Sequence, residues 1–147
     1  AYETTTQSGA AGVTDITSKT VPFTEAYMEA YGDAEDPPSK PMYMGFVTYD
    51  AIHVFKNAAE RAGTVDQENN LDTIVDALLQ TDFTGVAGQI QFYGADETYA
   101  HDLREERDSD GVITNYPLTQ WREDGSLECV YPEGLQTAEH AAPPWMG

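Results

Sequence analysis

The hydrophobic period changes twice between residues 68 and 93, and that change most constrains the fold. Leu71, Ile74, Val75, Leu78 and Leu79 fall at i, i+3, i+4, i+7 and i+8, which is one face of a helix, so residues 68–80 read as amphipathic α-helix. Thr84-Gly85-Val86-Ala87-Gly88 breaks the pattern, and Gln89-Ile90-Gln91-Phe92-Tyr93 reads as a strand. Further on, Asp124-Gly125 stands between two alternating segments, 116–121 and 127–131, and marks a β-hairpin. A chain with these three features is mixed α/β.

The upstream half adds helices. Residues 12–17 have short strand character. Pro22 opens a brief helix through Tyr31, because proline is tolerated in a first turn, and Gly32 ends it. Pro37, Pro38 and Pro41 make 33–41 a loop. The next helix spans 42–62 and stops at Gly63. Its expected packed face is Ala51, Phe55, Ala58 and Ala62, flanked by Thr48, Ile52 and Ala59, with Asp50, His53, Asn57 and Glu60 turned elsewhere. Residues 1–11 read as a flexible lead-in, 94–111 as charged and irregular with a helical turn near Leu103, and 132–147 as an extended tail. Three or four strands make a poor complete sheet, so part of a larger architecture is expected.

Charge narrows the function. The 147 residues carry 26 Asp and Glu against 7 Lys and Arg, a formal net charge of -19. A field of that sign repels phosphate backbones and anionic lipid, which excludes nucleic-acid and membrane-surface binding. Two readings remain: adaptation to concentrated salt, or an acidic protein that takes cations or a basic partner. Carboxylates spread along the chain, and lysines limited to Lys19, Lys40 and Lys56, favour the first. At molar salt the Debye length falls to about 3 Å and most self-repulsion is screened. The single cysteine, Cys129, excludes an internal disulfide and reads as a half-buried structural thiol in a strand. No apolar run is long enough to span a membrane. The first residues are Ala1-Tyr2 rather than Met, as in a processed or excised piece.

No catalytic motif emerges. His53, His101 and His140 are scattered. Asp50 and His53 are three apart on one helix, and a hydrolase could use such a pair, but no nucleophile accompanies them. A surface Asp–His contact is the expected arrangement. Glu106-Arg107-Asp108-Ser109-Asp110-Gly111 resembles the front of a calcium loop, yet the position needing a bidentate Glu holds Pro117, so a solvated acidic turn is expected and no metal site. Residues 42–49 pack three aromatics and two methionines at a loop-to-helix junction, where rings serve either the core or a ligand cleft.

Four segments carry a resemblance in register. Tyr49-Asp50-Ala51-Ile52 followed by Ala58-Ala59-Glu60-Arg61-Ala62-Gly63 is similar to the Y-D-A helix of the branched-chain amino acid and amide binding proteins. Phe83-Thr84-Gly85-Val86-Ala87-Gly88-Gln89-Ile90-Gln91-Phe92 resembles that family's helix-to-strand turn. Gln120-Trp121, Asp124-Gly125 and Val130-Tyr131-Pro132 resemble its closing hairpin, and Phe23-Ala26-Tyr27-Tyr31-Gly32 its short upstream helix. The resemblance implies a partial type I periplasmic-binding-protein fold: the C-terminal segment, over 12–131, of a two-lobe α/β architecture ending in a β-hairpin. It also implies an extracellular, non-enzymatic solute-binding component of an ABC importer, without a cofactor, that takes a branched-chain amino acid, amide or similar small polar solute and docks on a membrane permease. Residues before the Y-D-A helix lie near the cleft in that family, so Tyr43, Met44 and Phe46 are the implied ligand contacts. The loops that hold a ligand's carboxylate and ammonium have no counterpart here. The alternative is a stand-alone acidic interaction domain that self-associates through an exposed sheet edge.

Overall fold

A computed structural model describes residues 4–6, 15–32, 41, 43–107, 109–111 and 117–142. The elements in chain order are β1 (Thr4–Thr6), α1 (Thr20–Tyr31), α2 (Tyr43–Ala62), α3 (Gln67–Leu79), β2 (Asp82–Thr84), β3 (Gln89–Gln91), β4 (Leu118–Trp121) and β5 (Leu127–Tyr131), followed by a short 3-10 turn, Glu133–Leu135. The strands form two antiparallel sheets, ordered β1-β4-β5 and β2-β3.

The two longest helices, α2 and α3, pack on each other, and Val54, Ala58 and Ala59 of α2 and Ile74 and Ala77 of α3 are buried. Their connection is locally specified. Gly63 adopts φ +69°, and the N–H groups of Gly63 and Thr64 donate to the carbonyls of Glu60 and Ala59, which satisfies carbonyls that a helix end leaves free. Asp66 then caps α3, its Oδ1 accepting the N–H of Asn69 at 3.3 Å. Arg61 closes the far end by donating from Nη2 to the Ala77 carbonyl at 2.8 Å and to Thr81 Oγ1 at 3.1 Å.

The hairpin forms as expected, with Trp121 paired to Leu127, Gly125 at φ +82° in the turn, and a register shift between Leu118 and Thr119. Cys129 is fully buried in β5 rather than half-buried.

Several expectations are corrected. Thr4–Thr6, placed in a flexible lead-in, pair with Leu118–Gln120, because three β-branched residues suit an added strand. No strand forms over 15–17; Thr17 and Thr20 hydrogen-bond each other and start α1 two residues before Pro22. Residues 12–14 and 33–40 lie outside the described residues. Leu103 lies in a bridge to Phe92 rather than a helical turn, since the Tyr93 N–H donates to Asp102 O and the Arg104 N–H to Gln91 O. The segment after β5 folds back: the Gln120 side chain donates to Ala141 O at 3.0 Å and accepts the Ala141 N–H at 2.9 Å.

The largest correction concerns α2. Its buried line is Phe46, Asp50, Val54 and Ala58, in steps of four, while Ala51, Ile52 and Phe55 of the predicted face are exposed. Phe46 packs on Phe23 of α1, and Asp50 meets the β2–β3 turn.

Candidate functional site

The turn between β2 and β3 organises the molecule's polar interior. Three carbonyls point toward the start of α1: Thr84 O accepts from Lys19 Nζ at 2.5 Å, Gly85 O from Thr17 Oγ1 at 2.6 Å, and Val86 O from Thr20 Oγ1 at 2.8 Å. On the opposite side the Val86 and Ala87 N–H groups each donate to a different oxygen of Asp50 at 2.8 Å. This carboxylate is 1% exposed and serves as an N–H acceptor, so the expected surface Asp–His contact is not its role. An otherwise unpaired turn in the interior would leave its amides unsatisfied, and Asp50 removes that cost. Burial pushes the Asp50 carboxyl above its ordinary value of 3.8, opposed by the two N–H bonds and by the charges of Lys19 and His53.

Outside this turn lies a concavity of about 810 Å³ lined with rings. Phe23 packs on Phe46 at 5.0 Å and on Tyr49 at 4.7 Å; Tyr49 packs on His53 at 4.5 Å, and His53 lies parallel to Phe83 at 6.3 Å. Lys19 Nζ sits 4.9 Å from the Phe83 centroid. His53 is therefore an aromatic member of this row.

The residues implied by resemblance separate here. Met44 is 54% exposed at the start of α2, whereas Phe46, two residues on, is 0% exposed and packs edge-on against Phe23. Tyr43 begins α2, and its side chain lies outside the described residues.

A second concavity of about 850 Å³ opens between α2 and β3 and is lined by Ala51, Ile52, Phe55, Leu78, Ile90 and Phe92 among others. Its lining is mostly apolar, with Thr48, Asp50, Gln89 and Arg104 also contributing. Among the described residues no three His, Cys, Asp or Glu side chains gather as metal ligands, and no helix is long and apolar enough to cross a membrane. In the acidic 106–111 segment, Arg107 Nη1 donates to Gly111 O at 2.7 Å, which closes the turn; Asp108 is outside the described residues.

Sequence reasoning missed Asp50. A signal was present in Gly85, a glycine that leaves room for a buried group to approach the turn backbone.

No protein-family model and no curated protein sequence matches the chain. Two solved structures do. A protein assigned as a branched-chain amino acid ABC transporter from Silicibacter pomeroyi superposes with a TM-score of 0.65 at 23% identity, covering 97% of this chain and 35% of that one. A leucine binding protein, LivK, from Thermotoga maritima superposes with a TM-score of 0.51 at 25% identity, covering 90% of this chain and 31% of that one. The fold is thus part of the type I periplasmic-binding-protein architecture, and the chain spans about a third of the length of each similar structure.

Proposed function

We propose that this chain contributes the C-terminal portion of an extracellular solute-binding component of an ABC importer. In this reading the complete two-lobe protein closes on a branched-chain amino acid, an amide or a similar small polar solute and delivers it to a membrane permease. The observation that carries it is the superposition of 97% of the chain on one third of a branched-chain amino acid ABC transporter chain. Met44 and Tyr43 would meet the solute at the start of α2. Phe46 would back them from the core, where its ring already packs on Phe23.

The self-associating alternative needs a free sheet edge, and β5 is one edge of the sheet ordered β1-β4-β5. That edge is partly occupied, because the Thr137 N–H donates to Cys129 O and the Cys129 N–H to Thr137 Oγ1, each at 2.9 Å.

Thermal denaturation of the complete product of the reading frame, with and without leucine, isoleucine, valine and small amides, tests the reading. A ligand at a hundred times its Kd stabilises by about 2.7 kcal/mol, which raises Tm measurably. Met44→Ala should weaken that rise without lowering the ligand-free Tm. A product whose Tm no such solute moves is not this kind of binder.

A further inference from the structure

We infer that the ring-lined concavity between α1, α2 and the β2–β3 turn binds a quaternary ammonium ion on the faces of Phe23, Tyr27 and Tyr49. The inference is independent of the solute-binding reading above, which places the solute at Tyr43 and Met44. All three rings line one concavity of about 810 Å³. They are angled rather than stacked, Phe23 at 45° to Tyr49 and at 49° to Tyr27, and Tyr31 continues the row at 5.0 Å from Tyr27. Tyr49 is 41% exposed and Tyr31 46% exposed, so ring surface is left uncovered.

Charge and hydrogen bonding select the ligand. An aromatic face attracts a cation within about 6 Å of its centroid, and the row already does so once, where Lys19 Nζ lies 4.9 Å from the Phe83 centroid. Lys19 is tied to that end by its bond to Thr84 O, and His53 stands between Phe83 and Tyr49. Helix α1 carries Glu25 and Glu29 and no basic residue, and the chain's net charge of -19 concentrates cations at its surface. The same field disfavours anions. A cation bearing N–H groups would give up hydrogen bonds to water on entering, and the acceptors nearby are taken. Both Asp50 oxygens accept from Val86 and Ala87, and the carbonyls of Thr84, Gly85 and Val86 accept from Lys19, Thr17 and Thr20. A quaternary ammonium has no N–H to satisfy, and it is the cation that aromatic faces hold unaided.

Choline compared with 3,3-dimethylbutan-1-ol, its neutral isostere, tests this on the complete product of the reading frame at constant ionic strength. Binding is read by NMR from the methyl signal of each compound. Choline should bind about threefold or more tightly than the alcohol, within the range of a single cation–π contact. Tyr49→Leu should weaken choline binding by about threefold or more, and Tyr49→Phe, which keeps the ring, should leave it unchanged. Should Tyr49→Leu not fold, Tyr27→Leu gives the same reading. An absence of choline binding, or equal binding of the two compounds, overturns the inference. Choline binding lost in Met44→Ala and kept in Tyr49→Leu also overturns it, by placing the ion at the solute contact. None of these outcomes bears on the leucine test, so the two readings fail separately.

Discussion

The Asp50 carboxylate occupies the space that a side chain at position 85 would need: a Cβ on Gly85 would lie 2.2 Å from Oδ2 and 2.4 Å from Cγ of Asp50. Asp50 cannot retreat without breaking its bonds to Val86 and Ala87. Gly85→Ala should therefore destabilise by about 1–3 kcal/mol, the range for overpacking a filled interior. Urea denaturation measures it. In an Asp50→Ala background the same substitution should cost much less, because the clash partner is gone, and a double-mutant cycle showing simple additivity would refute the contact.

This relationship marks what was legible in the sequence. The period of Leu71, Ile74, Val75, Leu78 and Leu79 and the Asp124-Gly125 turn report local preferences, and α3 and the hairpin follow them. The role of Asp50 depends on a turn 36 residues away, so by local pattern alone it looks like a solvated charge. The buried face of α2 was misread for a related reason. Apolar periodicity identifies a stripe suited to burial, but Phe46, Asp50 and Val54 are covered by what this chain contains, and Ala51, Ile52 and Phe55 are not. Strand β1 shows the same limit: Thr4–Thr6 have strand propensity, while their partner β4 lies more than a hundred residues on.

Carboxyl titrations should separate by environment. Burial raises Asp50 above 3.8, whereas hydrogen bonds hold Asp66, Asp124 and Glu97 below their ordinary values, through Asn69, Ser126 and the Gly94 N–H respectively. The signs are opposite. The contribution of Asp50 is fully present below 3.8 and is lost as pH rises through its higher folded pKa. The contributions of the other three are present above their unfolded values and are lost as pH falls through their lower folded ones. Carbon-detected NMR of the carboxyl groups should show Asp50 titrating at higher pH than Asp66 and Asp124. An Asp50 midpoint below that of Asp66 contradicts the burial argument.

Gln120 should act as a clasp on the segment after the hairpin. Its buried amide makes two hydrogen bonds to the Ala141 backbone, and its Oε1 also accepts from Arg122 Nη1 at 2.8 Å. Gln120→Ala removes these partners at once and should destabilise by about 1–3 kcal/mol. Hydrogen exchange gives the sharper reading: the Ala141 amide should lose protection while the Cys129 amide, held by Thr137 Oγ1, keeps it. Loss of protection at both would mean that the hairpin itself had opened.

Salt should stabilise this protein well beyond what its ion pairs would suggest. Three pairs are seen among the described residues, Lys56–Glu60, Arg104–Glu97 and Arg107–Glu105, all at the surface, where such contacts contribute about 0–1 kcal/mol. They leave most of the 26 acidic side chains in one another's field. Screening weakens the pairs and the repulsion together, and with acids outnumbering bases 26 to 7 the loss of repulsion dominates. Unfolding free energy should therefore rise from 0.1 M to about 1 M potassium chloride, where the Debye length has shrunk to about 3 Å. Sodium chloride should act alike if screening is the cause, and sucrose at equal osmolality should do much less. A flat or falling salt profile would remove the case for adaptation to concentrated salt and return weight to a cationic partner for the acidic surface.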